Sequence, residues 1–307
     1  MMKKFDTIII GAGPAGLTAG IYLARAKKSV LIVDQGAAGG QMTLTHKIAN
    51  YPGVEEVSGY QLANNMKKQA KSFGCKIYSS SKITKMDITG DEKFIEVDGE
   101  DNYSADSVIL ALGGEPRSLG LDSEKKFKGK GISYCATCDG DFFQDQDIVV
   151  IGGGNSALEE AVSLTEYASS VTIVHQFDNF QGYEHAIKEA TEHPKIKIIL
   201  EHEVEEFIGD EGLTSVRIKS NKDGSEKVLN VTGAFIFIGY IPRTDPFKGI
   251  INLNTRGEII TDSDLKTNVG GVFAAGDVIE KKVRQVTTAV SDGTVAALGV
   301  LGFLNSK

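Results

Sequence analysis

The sequence predicts an α/β chain of two Rossmann-like, three-layer domains, the second inserted into the first. Three observations carry this reading. An apolar strand, a glycine turn and a helix open the chain, the same unit returns 141 residues later, and two Gly/Pro stops bracket the second copy. Laying Gly11 over Gly152 puts Ile8-Ile9-Ile10-Gly11-Ala12-Gly13-Pro14-Ala15-Gly16 over Val149-Val150-Ile151-Gly152-Gly153-Gly154-Asn155-Ser156-Ala157. Residues 30–34 then lie over residues 171–175. Repeated strand–helix–strand units imply parallel sheets covered by helices. An offset this long is no solenoid period.

Between the copies, residues 83–97 alternate apolar and polar around Gly90-Asp91, the pattern of antiparallel hairpin strands. Residues 107–112 read as another apolar strand, stopped by Gly113-Gly114-Glu115-Pro116. A similar stop falls at Gly239-Tyr240-Ile241-Pro242. The stops are the expected crossings, so residues 1–115 and 244–307 would form one domain around a central module of residues 116–243. Near the end, residues 271–277 read as a buried strand ending on Asp277, and residues 286–303 as a helix rich in small residues.

The first turn fits G-x-G-x-x-G. Gly11 permits the sharp turn, Gly13 lets the backbone approach a pyrophosphate, and Gly16 allows close packing of helix on strand. Pro14 and Ala15 open the helix whose N-terminus meets the phosphate charge. Asp34, 23 residues after Gly11 and followed by Gln35, ends the second strand, where a carboxylate accepts hydrogen bonds from ribose hydroxyls.

The second turn fits G-x-G-x-x-A, but the chain after its second strand reads His175-Gln176-Phe177-Asp178-Asn179-Phe180-Gln181, with no Arg or Lys before Lys188. A site for NADP places arginine there for the 2′-phosphate. Each missing charge-assisted bond is worth about 1.5–3 kcal/mol. Two of them correspond to roughly two to four orders of magnitude in affinity. A basic group arriving from elsewhere, such as Lys188 or Arg217, would offset this loss.

Cys135-Ala136-Thr137-Cys138-Asp139-Gly140 places two thiols at the spacing of an exchangeable disulfide, with an acid beside them to carry a proton. Half of a zinc site is the alternative, but no second ligand pair exists at the required spacing, so no metal is expected. Cys75 reads as a buried small apolar residue.

Composition bounds the rest. With 33 Lys and Arg against 41 Asp and Glu, the net charge of −8 leaves no basic surplus for nucleic acid. The 41% apolar and 24% charged residues exclude a disordered chain, and three cysteines are too few for a secreted disulfide scaffold. Residues 7–24 carry no charge, yet Pro14 and the glycines break the run. A strand, turn and helix explain it better than a signal peptide or membrane span. A cytoplasmic protein away from membranes is the expectation.

From end to end the chain resembles the low-molecular-weight thioredoxin reductases. The resemblance rests on Gly11 to Gly16, Gly39-Gly40-Gln41, Asn50-Tyr51-Pro52-Gly53, Cys135 to Gly140, Gly276-Asp277 and Arg284-Gln285. It implies a split FAD domain enclosing a pyridine-nucleotide-like domain that carries the two cysteines. Gln41 and Asn50 would line the flavin pocket, Asp277 would hold the ribityl or phosphate-linked hydroxyls, and Gln285 would lie near the isoalloxazine, with Gly40, Gly276 and Arg284 also binding the cofactor. Cys138 would react with the flavin and Cys135 with the disulfide of thioredoxin. A homodimer is implied too.

NADP-dependent members of that family carry His-Arg-Arg-x-x-x-Arg where this chain has His175, Gln176, Phe177 and Gln181. In this the chain resembles the ferredoxin-linked flavin thioredoxin reductases of anaerobic bacteria. An acidic ferredoxin would need a local basic patch such as Lys125, Lys126, Lys128 and Lys130. NADPH or NADH use stays open because the turn at Gly152 is intact. A ferredoxin–NADP reductase-like flavoenzyme would need no thiol pair. A flavin redox sensor would leave Asp139 and the thiols without a task.

Overall fold

β1 (Lys3–Ile10) is the spine of the first sheet in the computed structural model, which describes residues 2–44 and 48–307. Its half from Thr7 to Ile10 is buried, as a strand paired in parallel on both sides requires. α1 (Pro14–Arg25), β2 (Val30–Asp34), α2 (Gly59–Ser72) and β3 (Lys76–Ser79) wind to one side of it, giving the parallel order β3-β2-β1. β4 (Ile83–Asp87), β5 (Lys93–Val97) and β6 (Asp101–Leu110) return as an antiparallel meander, and β6 lands parallel to β1 on its other side. β6 starts six residues before its apolar run, because Ser104 and Asp106 interrupt the pattern that marks the strand. β7 (Gly114–Pro116) follows and leaves this unit.

The second unit comprises residues 116–240. It contains α3 (Asp122–Phe127), β8 (Ile132–Ser133), the single turn α4 (Ala136–Asp139), β9 (Asp147–Ile151), α5 (Asn155–Leu164), β10 (Ser170–Val174), α6 (Glu184–Glu192) and β11 (Ile196–Ile199). An antiparallel sheet follows, β12 (His202–Gly209), β13 (Leu213–Ser220) and β14 (Glu226–Asn230), and then β15 (Gly233–Ile236). The parallel sheet runs β11-β10-β9-β15-β8. Its two faces bury alternate residues, as the two-residue period of a strand dictates. Ile148 and Val150 of β9 pack with Leu158, Ala161 and Ile173 on the helical face, whereas Val149 and Ile151 pack with Val204, Phe207 and Val216 of the antiparallel sheet. That sheet was not marked by the sequence, because its strands are half-exposed and rich in Glu and Lys.

β16 (Tyr240–Pro242) pairs with β7, so the two crossing segments form one two-stranded ribbon. The returning chain adds β17 (Val272–Ala274) beside Val108 to Leu110 of β6, completing seven strands. The last helix, α7 (Val286–Asn305), is two residues longer than its sequence pattern. By length and composition it could cross a membrane, but it packs on α1 and buries Ala289, Gly293, Ala296, Ala297 and Val300.

The repeat seen in the sequence is a repeat of register. Ile9 pairs with Ile32 and Val150 with Ile173, each 141 residues on. Gly11 N donates to Val33 O at 2.8 Å and Gly152 N to Val174 O at 3.0 Å.

α7 approaches α1 through a glycine. A Cβ on Gly293 would lie 2.2 Å from the carbonyl oxygen of Ala15, whereas one on Gly302 would meet nothing within 4 Å. Gly293→Ala is expected to destabilise this unit by about 1–3 kcal/mol through overpacking. Gly302→Ala in the same helix should stabilise it by up to about 1 kcal/mol through helix propensity. Urea unfolding of the two variants checks this, and shifts of the same sign would contradict the packing described.

Candidate active site

The glycine turn after β1 is built against backbone. Gly11 has φ +110°, and a Cβ there would lie 2.1 Å from Ala111 O; a Cβ on Gly16 would lie 1.9 Å from Gly11 O. Gly13 instead faces open space, with nothing within 4 Å of its Cβ position. Pro14 and Ala15 are the first residues of α1, whose N-terminus has no side-chain cap. Asp34 clamps the turn: its Oδ2 accepts from Ala12 N at 2.6 Å and its Oδ1 from Gly36 N at 2.7 Å. Gly39 N donates to Ala12 O, which brings the 3₁₀ turn Gly40–Leu44, with exposed Gln41, next to the same loop. Gln35 is exposed beside Asp34.

Asn50 and Gln285, 235 residues apart, meet directly: Asn50 Nδ2 donates to Gln285 Oε1 at 3.2 Å. Gln285 is the N-cap of α7, in a capping box with Thr288. Residues 49–55 line an open cavity of about 410 Å³. Arg284 is held by Glu258, itself buried and also bonded by Asn254 and Arg256. Asp277 carries a buried Oδ1 with no hydrogen-bond partner among the described residues. Burial pushes its carboxyl above the ordinary range, against the opposing charges of Lys281 and Arg284. Lys281 is in turn paired with Asp292, which also accepts from Gly276 N at 3.1 Å. Glu258, Lys281 and Asp292 carry no motif signal and were not anticipated from the sequence.

In the second unit, the loop after β10 folds back over its glycine turn. Gln181 N donates to Gly153 O at 2.8 Å, and Tyr183 N to Asn155 Oδ1 at 2.6 Å. The His175 ring packs on Gly153, where a Cβ would lie 2.4 Å from it. It also stacks on Phe180 and meets Phe177 edge-on. Its buried Nε2 has no partner among the described residues, and burial holds the imidazole below the usual histidine range. A cation does come to this loop from elsewhere, and it is not Arg217. Arg217 pairs with Glu206 and Glu226 on the antiparallel sheet. Lys222 is the visitor: its neighbour Asn221 bonds Gln176 O, and its ammonium feels Asp178. Glu201 already holds that ammonium at 2.5 Å.

Cys135 and Cys138 are joined as a disulfide across the turn of α4, with Cα atoms 5.3 Å apart. Thr137 Oγ1 lies 3.5 Å from Cys135 Sγ. Asp139 follows, its Oδ2 accepting from the Ser133 hydroxyl at 2.5 Å. The loop is tied on its other side by buried Glu124, which accepts from Tyr134 OH at 2.5 Å, Ser118 Oγ at 2.7 Å and Gly120 N at 3.0 Å. Burial and this carboxylate push the Tyr134 phenol up. Ser133 and Tyr134 directly precede Cys135, so their position was a usable signal; Glu124 had none. Cys75 is buried, and burial raises its thiol to about 11, which leaves it unreactive.

The profile of one family, the pyridine nucleotide-disulphide oxidoreductases, matches residues 5–293. The chain belongs to that family. It is 44% identical over 305 residues to a 34.2 kDa protein in the rubredoxin operon of Clostridium pasteurianum, covering 99% of each chain. It is 44% identical over 304 residues to a thioredoxin reductase of Peptoclostridium acidaminophilum, covering 97% of this chain and 96% of the other. The crystal structure of thioredoxin reductase from Streptococcus pyogenes matches with a TM-score of 0.93 at 40% identity, over 100% of both chains. The chain is a flavin disulfide oxidoreductase of the thioredoxin reductase type, with FAD as its cofactor.

The residues present fit FAD. The open face at Gly13, the uncapped helix end and the unpartnered Asp277 oxygen are the features a dinucleotide with hydroxyls and phosphates requires.

Two expectations follow from this geometry. Tyr134→Phe removes one of three bonds to a buried carboxylate and should cost about 1.5–3 kcal/mol of stability in the second unit. Thermal unfolding with a probe in that unit reads it, and an unchanged midpoint would contradict the anchor. For Asp277 the sign is the reverse of the usual carboxylate. A raised folded-state pKa destabilises the ionised protein as pH rises through it and has no effect well below the unfolded value. Asp277→Asn should therefore stabilise the FAD-free protein at pH 7, with the advantage fading toward pH 3. A constant difference across that range would exclude burial of the charge as the cause.

Proposed function

We propose that this protein reduces the disulfide of thioredoxin through Cys135 and Cys138 and draws its electrons from reduced ferredoxin rather than NADPH. The observation that carries the reading is a disulfide with an acid beside it, in a unit whose glycine turn is covered by a loop without arginine. In the reduced pair, the Cys135 thiolate attacks the thioredoxin disulfide, and the departing thioredoxin thiolate takes a proton. Cys138 then attacks the Cys135 sulfur, which restores the Cys135–Cys138 disulfide and frees the second thioredoxin thiolate. Asp139 carries the proton to or from the thiol that changes state. FAD, when bound, supplies the junction between a one-electron donor and this two-electron disulfide.

Gly11, Gly13, Pro14, Ala15 and Gly16 cradle the FAD pyrophosphate in this reading. Asp34, with Gln35, holds the ribose side while clamping the turn. Gly40, Gln41, Asn50, Arg284 and Gln285 serve the flavin side, and Gly276 with Asp277 its hydroxyls. Domain limits at residues 115 and 243 suit this division of labour.

The donor reading is supported by charge. Gln176, Phe177 and Gln181 bring no positive charge to a 2′-phosphate, and Glu201 neutralises Lys222. NADH is the second reading, favoured by the intact turn at Gly152. The exposure of Lys126, Lys128 and Lys130 supports a basic patch for an acidic ferredoxin, while Lys125 is paired with Asp122. Assembly of two copies is part of this reading, since thioredoxin reductases are commonly homodimers. The protein would work in the cytoplasm.

Cys135→Ser should keep flavin reduction and abolish thioredoxin reduction. Cys138→Ser should trap a mixed disulfide between Cys135 and thioredoxin. Thioredoxin reductase activity surviving in either variant would contradict the assignment. Asp34→Ala should lose FAD more than it alters thiol chemistry. For the donor, anaerobic stopped-flow should show fast flavin bleaching with reduced ferredoxin and slow bleaching with micromolar NADPH. Arginine at positions 176, 177 and 181 should then raise NADPH affinity by about two orders of magnitude. Rapid bleaching of the natural protein by NADPH would defeat the donor reading alone.

A further inference from the structure

We infer that Ser133 is a positioning residue for the thiol chemistry, holding Asp139 in one place in both of its protonation states. The inference rests on the proposed role of Asp139 as proton carrier. Ser133 ends β8, is 5% exposed, and sits two residues before Cys135. Its oxygen accepts from Cys135 N at 3.1 Å. Its single hydrogen has two acceptors in reach, Asp139 Oδ2 at 2.5 Å and Cys135 O at 3.3 Å. One hydroxyl hydrogen serves only one of them at a time.

The two acceptors give two complete arrangements. With Asp139 ionised, the Ser133 hydroxyl donates to its carboxylate, a charge-assisted bond of the short kind seen here. With Asp139 protonated, the carboxyl donates to the Ser133 oxygen, and the serine hydrogen turns to Cys135 O. Neither arrangement moves a heavy atom, so the acid gains and loses its proton without disturbing the loop that carries the cysteines. Asp139 N also donates to Cys135 O at 3.2 Å, which closes the backbone turn that carries both residues. Alanine has no hydroxyl for either arrangement, whereas threonine has one. The titratable neighbours of Asp139 include Cys135 and Cys138 on its own turn, Asp141 just beyond, and Tyr167, whose ring packs on Gly140.

The test uses the FAD-loaded enzyme, reduced with dithionite and mixed with oxidised thioredoxin, so that no physiological donor enters. Formation of thioredoxin dithiol is followed from pH 5 to 9 in the natural protein and in Ser133→Ala, Ser133→Thr, Asp139→Asn and the Ser133→Ala/Asp139→Asn double variant. Ser133→Ala should slow the limiting rate about tenfold without changing the thioredoxin concentration for half saturation. It should move the pH midpoint of the reaction upward by about one unit, because the carboxylate loses a donor to its charged form. Ser133→Thr should restore rate and midpoint, and the double variant should be no slower than Asp139→Asn. Should Ser133→Ala fail to fold, Ser133→Cys, a weak donor of similar size, is expected to give the same shift. An unmoved midpoint in the variant lacking the hydroxyl, or additive losses in the double variant, would overturn the inference about Ser133. Natural rates in Asp139→Asn would overturn the reading of Asp139 beneath it.

Discussion

Each unit depends on the same steric constraint: a parallel strand must turn into a helix while touching the backbone of a neighbouring strand's exit. At Gly11 and at Gly152 the Cβ position lies 2.1 Å and 2.3 Å from a carbonyl oxygen, of Ala111 and of Phe237. Both residues have positive φ, +110° and +139°. Only glycine meets both demands. The turn then aims the helix N-terminus out of the sheet edge, where positive backbone amides are available to a phosphate. What differs between the copies is the residue after the second strand. Asp34 in the first copy binds the turn through Ala12 N, while in the second His175 lays a ring on Gly153.

That difference changes what each turn presents. A carboxylate engaged by backbone amides, with lone pairs to spare, suits a nucleotide ribose. In the second copy a ring stacked on Phe180 and met edge-on by Phe177 occupies that place, and the lysine near it is bound to Glu201. The second unit also carries the disulfide turn, anchored by Glu124 through Tyr134 and by Ser133 through Asp139. A redox turn benefits from such anchors, because its two states must share one backbone.

Periodicity and spacing made much of this legible. The 141-residue repeat carried over to the register, the glycines to the close approaches, and Cys-Ala-Thr-Cys to the disulfide. The antiparallel sheet at residues 202–230 was not legible, since its strands expose Glu203, Glu205 and Lys227 and bury only one face. Polar contacts across long separations were equally hidden. Nothing in the residue pattern links Asn50 to Gln285, Arg284 to Glu258, or Lys222 to the loop at residues 176–178. Such pairs arise only when the sheets bring distant segments together, and they decide how charged each site is.

One chain is expected to hold two redox centres in series, a flavin and the Cys135–Cys138 disulfide. Anaerobic reductive titration of the FAD-loaded protein with dithionite tests it most directly. Uptake of two electron pairs per chain is expected, one by the flavin and one by the disulfide, falling to one pair when either cysteine is replaced by serine. Uptake of a single pair by the natural protein, with the disulfide unreduced while the flavin bleaches fully, would contradict it.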